Sequence, residues 1–325
     1  MSGPRRPLPR VLAAVLGLLL LVAGARAEPL KLAAARGPVS LLVYVAEAHG
    51  YFREEGLDLQ LRECSSGRDC HRLLSEGQVD VATAAELVVT LNAAAQPDHA
   101  IFATLSASSH QIKLVARRSV GGATPAGLRG KRVGTVVGTS AQYFLHRWMV
   151  FHGLEPRDVE VVALAPDRIA LALRRGDIDA AAIWEPHASA AIADGAFELP
   201  NPRVYTQFFS LVAARPTLAP RERDVKRLLR ALLRAQRFVA DSPSRAAGVL
   251  VERLKLDPQL ALAQLREHDF RLRLDQALVS TMSSQQRWAA AEGLVAPTAS
   301  RGPATPPIDA EPLRRLEPGA VTVVR

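Results

Sequence analysis

The chain repeats itself at a spacing near 100 residues. Leu74-Ser75-Glu76-Gly77-Gln78-Val79-Asp80-Val81-Ala82 is echoed by Leu173-Arg174-Arg175-Gly176-Asp177-Ile178-Asp179-Ala180-Ala181. Both read Leu-x-x-Gly-x-aliphatic-Asp-aliphatic-Ala. In physical terms this is a helix stopped by glycine and followed by a short buried strand, an apolar run bounded by a turn signal. The segments upstream correspond as well. Leu30 to Ala34 and Arg132 to Val137 are short apolar strands. The first leads into Gly37-Pro38-Val39-Ser40 and a helix ending near His49-Gly50, the second into Gly138-Thr139-Ser140 and a helix ending near His152-Gly153. Phe144, Leu145, Trp148 and Met149 form one apolar stripe on that second helix. Strands alternating with helices predict parallel α/β architecture, built twice.

Three further segments complete the plan. Ile101 to Arg117 reads as a strand crossing from the first unit to the second, and Val204 to Ala214 as a return crossing. After Pro220 the chain becomes helical: Arg221 to Ala240 carries Val225, Leu228, Leu229, Leu232 and Leu233 on one face. Helices are predicted at about Ser244–Leu254, Pro258–His268 and Gln276–Glu292, returning to cover the first unit; Ala296 to Pro307 reads as a loop. The domain plan is therefore a leader over 1–27, a first lobe over 28–110, a second lobe over 111–207 and a return to the first over 208–325.

The leader is read from Arg5, Arg6 and Arg10, then an apolar run of 14 residues from Val11 to Gly24, then Ala25-Arg26-Ala27. The run is too short to span a bilayer, which takes about 20 residues. The pattern describes a secretory signal cut after Ala27, before Glu28, so the protein is expected in the periplasm. Without the leader's four arginines, 37 bases face 32 acids. That balance suits attraction of anions. The bases are dispersed, so nucleic acid is not expected as a partner. Export places Cys64 and Cys70 in an oxidising compartment, where a disulfide between them is expected. A metal site on Cys64, Cys70 and His71 lacks a second ligand cluster nearby in sequence.

Ligands of open α/β sheets lie at the carboxyl ends of strands. Gly138, Thr139 and Ser140 are the better candidates for such a site. Glycine permits close approach, the two hydroxyls donate, and the helix terminus supplies partial positive charge for a carboxylate, sulfonate, phosphate or nitrate. The same residues also make an ordinary N-cap. Gly37, Val39 and Ser40 occupy the matching place in the first lobe, where Pro38 removes one donor. Trp184 either stacks on an organic ligand or packs in the core. Glu185 either receives a ligand amine or caps the helix starting at Pro186. Thr83 and Glu86 hold the equivalent place in the first lobe, and Ser66, within Ser65-Ser66-Gly67, lies on a third small-residue loop. His110 is the one histidine considered for ligand contact. No Gly-x-Ser-x-Gly, His-Glu-x-x-His, Walker or Gly-x-Gly-x-x-Gly motif occurs, so neither catalysis nor a cofactor is expected.

Several segments together resemble a known family. His49-Gly50-Tyr51-Phe52-Arg53-Glu54-Glu55-Gly56-Leu57-Asp58 is similar to a signature of periplasmic type II substrate-binding proteins of the sulfonate, nitrate, taurine and thiamine-pyrimidine-precursor group. Gly130-Lys131-Arg132-Val133-Gly134, Ala180 to Pro186, Gln286-Arg287-Trp288 and Pro318-Gly319-Ala320-Val321 resemble later family segments in the same order. The resemblance implies a two-lobed Venus flytrap, each lobe a mostly parallel sheet flanked by helices. It implies a monomer that captures a small anionic or zwitterionic ligand between its lobes and passes it to the membrane permease of an ABC importer. The ligand's acidic group would sit at Thr139 and Ser140. Ser65-Ser66-Gly67, flanked by cysteines, departs from the Gly-Gly pair many relatives carry there. Alternatives are a periplasmic sensor for a membrane kinase, or an enzyme of the thiamine-pyrimidine synthase type, whose Cys-rich motif is absent.

Overall fold

The computed structural model describes residues 28–120, 124–295 and 306–324. The expected leader and most of the expected loop over 296–307 lie outside them. The first lobe begins with β1 (Leu30–Ala35), α1 (Leu41–Ala48), α2 (Tyr51–Glu54), β2 (Leu59–Cys64), α3 (Gly67–Ser75), β3 (Val81–Ala85), α4 (Glu86–Asn92) and β4 (His99–Ser108). The second holds β5 (Ile112–Ala116), β6 (Lys131–Thr135), α5 (Ser140–Phe151), β7 (Val159–Ala163), α6 (Ile169–Arg175), β8 (Ala180–Trp184), α7 (His187–Ala193) and β9 (Phe197–Glu198). The chain then returns through β10 (Gln207–Ala214), α8 (Arg215–Leu218), α9 (Glu222–Asp241), α10 (Pro243–Leu254), α11 (Pro258–Glu267), α12 (Gln276–Ala291) and α13 (Glu311–Leu316).

Each lobe carries a five-stranded sheet, ordered β2-β1-β3-β10-β4 in the first and β7-β6-β8-β5-β9 in the second. The first three strands of each order pair in parallel. The crossing strands β10 and β5 pair antiparallel to their neighbours, so both sheets are mixed.

The repeated motif has the same physical job twice. Gly77 and Gly176 take positive φ just past α3 and at the end of α6. The motif's aspartate accepts a backbone N–H of the neighbouring parallel strand, β1 in the first lobe and β6 in the second. Asp80 Oδ2 accepts from Lys31 N at 2.8 Å, and Asp179 Oδ2 from Arg132 N at 3.0 Å. The motif thus stops a helix and pins the next strand into register.

The strand expected over Ile101–Arg117 is two strands, β4 and β5, broken at the bend over 109–111 where the chain changes sheets. The return crossing spans 199–206, between β9 and β10. Helices α9 to α11 bury Val225, Leu228, Leu229, Leu250 and Ala261 in the first lobe's core. Helix α12 departs from its expected role as first-lobe cover. Leu278 and Met282 belong to that core, but Trp288 and Ala289 pack into the second lobe with Phe144, Leu145 and Trp148. Among the described residues no helix is long and apolar enough to cross a membrane.

Candidate functional site

The carboxyl ends of β1, β2, β3, β6 and β8 face one another across the two lobes. Between them lies an inner cavity of about 50 Å³. That is several times the room a single ordered water needs, about 10–15 Å³. An outer chamber of about 870 Å³ opens from it toward Ala163–Asp167, Pro186 and His187. Arg36, Ser65, Ser66 and Arg68 line both.

Gly37, Val39, Ser66, Thr139, Ser140, Trp184 and Glu185 meet at the inner cavity. Thr139 is the N-cap of α5: its hydroxyl accepts from Ala141 N at 3.3 Å and donates to the Val136 carbonyl at 2.6 Å. Ser140 is 2% exposed; its Oγ interacts with Tyr205 Oη but makes no well-aligned hydrogen bond among the described residues. Ser66 caps α3, accepting from Asp69 N at 3.2 Å and donating to Asp69 Oδ2 at 2.9 Å. Trp184 is half-buried and forms part of the wall.

Glu185 touches the cavity, but its carboxylate is turned away into a polar cluster. It accepts from Ser189 N at 3.0 Å and Ser189 Oγ at 2.9 Å, and pairs with Lys113 Nζ at 3.3 Å. It therefore caps α7. Burial pulls the Lys113 pKa down, but Glu185, Glu198 and Glu267 around it raise it further, so the net direction is up. Lys113 on β5 and Glu267 on α11 join the lobes at 3.5 Å.

Four candidates do not line the cavity. The Gly138 N–H donates to Gln142 Oε1 at 2.9 Å. Ser40 Oγ donates to the Ala35 carbonyl at 2.7 Å. Thr83 Oγ1 accepts from Ala35 N at 2.9 Å, bracing β1 on β3. Glu86, fully buried, points into the seam between the lobes, where it accepts from Tyr205 Oη, from Gln285 Nε2 at 2.7 Å and from Phe208 N at 2.9 Å. His110 is also absent from the lining and lies 3.3 Å from Ser109 Oγ.

Sequence reasoning passed over Arg36, Arg68, Gln111, Gln207 and Phe209, all of which line the cavity. The two arginines stand beside glycines at strand-to-helix junctions, which is the signal that would have found them. Gln207 and Phe209 arrive on β10 and have no local signal. A disulfide joins Cys64 to Cys70, with Cα atoms 5.6 Å apart, closing the loop that carries Ser65, Ser66 and Arg68. Among the described residues no group of three or more histidines, cysteines or carboxylates is placed to hold a metal.

A family model described as "NMT1/THI5 like" matches residues 38–246. The taurine-binding periplasmic protein of Escherichia coli (strain K12) is 30% identical over 152 residues, 46% of this chain and 47% of that protein. The match thus spans about half the length of that relative. The alkanesulfonate-binding protein SsuA from Xanthomonas axonopodis pv. citri, bound to MOPS, has the same fold at a TM-score of 0.73. It is 21% identical, with 83% of this chain and 96% of that one covered. The desulfurization enzyme DSZB shares the fold at a TM-score of 0.66 and 16% identity, covering 88% of this chain and 98% of that one.

Proposed function

Because the chain belongs to the NMT1/THI5-like family, we propose that it is an exported solute-binding protein that captures a small organic anion between its lobes and delivers it to an ABC importer. The observation that carries this reading is the start of α5, where Thr139 and Ser140 line, with Gly37, Ser66 and Trp184, one cavity that five strand ends surround. Helix α5 is 12 residues long, so its terminus offers free N–H groups and the positive end of its dipole. Thr139 holds that terminus in shape, and Ser140 brings its backbone N–H and hydroxyl to the same cavity. The relatives' sulfonate and taurine ligands make a sulfonate-class acid the first to try.

In this reading residues 1–27 are removed on export, the protein acts as a monomer, and a membrane permease takes the ligand. Delivery to a membrane sensor kinase would use the same cleft. The test is calorimetry with alkanesulfonates, taurine and nitrate. Replacing Ser140 by Ala weakens binding by about 10- to 100-fold, the worth of one hydrogen bond to a charged acceptor. An unchanged affinity in Ser140→Ala moves the acid elsewhere. The likeness to DSZB favours a second reading, catalysis on the same fold. Mass spectrometry of the ligand recovered after long incubation separates the two: capture returns it intact, and a desulfonated product establishes an enzyme.

A further inference from the structure

The capture reading leaves two guanidinium groups unassigned. Arg36 follows β1, Arg68 is the second residue of α3, and both are exposed where the inner cavity meets the outer chamber. Arg68 Nη1 donates to the Val137 carbonyl of the second lobe at 2.8 Å. That uses one of its five N–H groups. Among the described residues no hydrogen bond or ion pair engages the Arg36 side chain.

Of the nearby carboxylates only Glu185 touches the inner cavity; Asp69 and Asp167 line the outer chamber alone. Glu185 is held by Lys113 and Ser189. Asp69 accepts from Ser65 and Ser66. Asp167, in the outer chamber, lies 3.9 Å from Arg168. The inner cavity therefore presents two cations and no carboxylate open to a ligand ammonium.

On the capture reading, we infer that the site selects a short dianion, with one acidic group at Ser140 and a second held by Arg36 and Arg68 at the mouth of the inner cavity. A guanidinium offers a planar fork that matches a carboxylate in two parallel bonds. A ligand ammonium in the same place would meet two like charges. The pair thus selects against zwitterions as well as for dianions.

The test uses three compounds sharing the same sulfonate and two methylenes. 3-Sulfopropionate ends in a carboxylate, 1-propanesulfonate in a methyl and taurine in an ammonium. Calorimetry on the full mature chain at low salt is expected to show 3-sulfopropionate bound about tenfold or more tighter than 1-propanesulfonate, the low end for charged hydrogen bonds at an exposed site. Taurine is expected to bind weakest. In Arg36→Gln the ratio of the first two affinities falls toward one. Arg68→Gln also breaks the contact with Val137, so its ligand-free melting temperature is recorded alongside, and Arg36→Gln decides the matter if Arg68→Gln unfolds. Equal affinities for the three compounds, tightest binding of taurine, or a ratio unchanged in Arg36→Gln overturns the inference and leaves the capture reading standing. No heat with any of the three overturns both.

Discussion

Glu86 has no exposed surface, yet three donors converge on its carboxyl: Tyr205 Oη, Gln285 Nε2 and Phe208 N. Burial outweighs those donors and pushes its pKa up from 4.5 to about 7. Between those two values the folded protein keeps a proton that the unfolded chain has lost. The resulting stabilisation is complete below about pH 4.5 and is lost as pH rises through 7, on the order of 3 kcal/mol in all. His71 works in the opposite direction. Burial, helped by neighbouring His99, lowers its pKa from 6.5 to about 4. Its contribution is complete above pH 6.5 and is lost as pH falls through 4. The two effects overlap in one window, so the wild-type profile alone is blunted. Chemical denaturation from pH 4 to 8 separates them by differences. The stability gap between wild type and Glu86→Gln narrows as pH rises, whereas the gap to His71→Gln widens. A flat Glu86→Gln difference means the carboxyl is ionised in the folded protein throughout.

At the scale of elements, α3 shows how tightly the cleft is built. A Cβ on Gly67 would meet Ala84 Cα at 3.0 Å, Phe209 Cε2 at 3.1 Å and Ala85 N at 3.2 Å. Two of these are backbone atoms of β3, which cannot yield. Gly67→Ala is therefore expected to cost about 1–3 kcal/mol. It also shifts Ser66 and Arg68, so ligand affinity falls with stability; a variant as stable and as tight-binding as wild type would show that α3 has room to move. Reducing the Cys64–Cys70 bridge frees the same loop from the other side and costs about 2 kcal/mol on the loop-entropy account. Alkylation with and without reductant, followed by denaturation of each form, measures both the bridge and its worth.

Elements were legible wherever the pattern is local. The predicted start of α9 at Arg221 lies one residue from the observed Glu222, and α12 begins at Gln276 as the sequence reads. Side-chain destinations were less so, because distant partners decide them. Glu86 turns away from the cleft toward Phe208, 122 residues on, and Gln285, 199 residues on. No local pattern holds either contact. Thr83 was misplaced for a related reason: its hydroxyl is claimed by β1, the neighbouring strand, at Ala35 N. Ser140 lines the cavity where the sequence puts it because the helix terminus and glycine loop that place it are its own neighbours.

Across the whole molecule, the lobes are joined by two crossings, at 109–111 and 199–206, and by α12, which is anchored in both cores. Tyr143 Oη of the second lobe lies 3.1 Å from Ser284 Oγ on α12. The hinge side is thus firmly tied. The opposite side is held by much less: Arg68 reaches over to the Val137 carbonyl through a single 2.8 Å bond from an exposed side chain. An exposed contact of this kind contributes little by itself, about 1 kcal/mol. With an outer chamber of about 870 Å³ open beside the inner cavity, the two lobes are free to draw closer on a ligand. A ligand that touches both walls binds the closed form alone and shifts the population toward it. Small-angle scattering is expected to give a smaller radius of gyration at saturating ligand than for the ligand-free protein. Arg68→Ala is expected to shift the ligand-free curve little further, since one exposed bond sets no equilibrium. Identical curves with and without a ligand whose binding calorimetry has established would mean that the anchored α12, not the ligand, fixes the angle between the lobes.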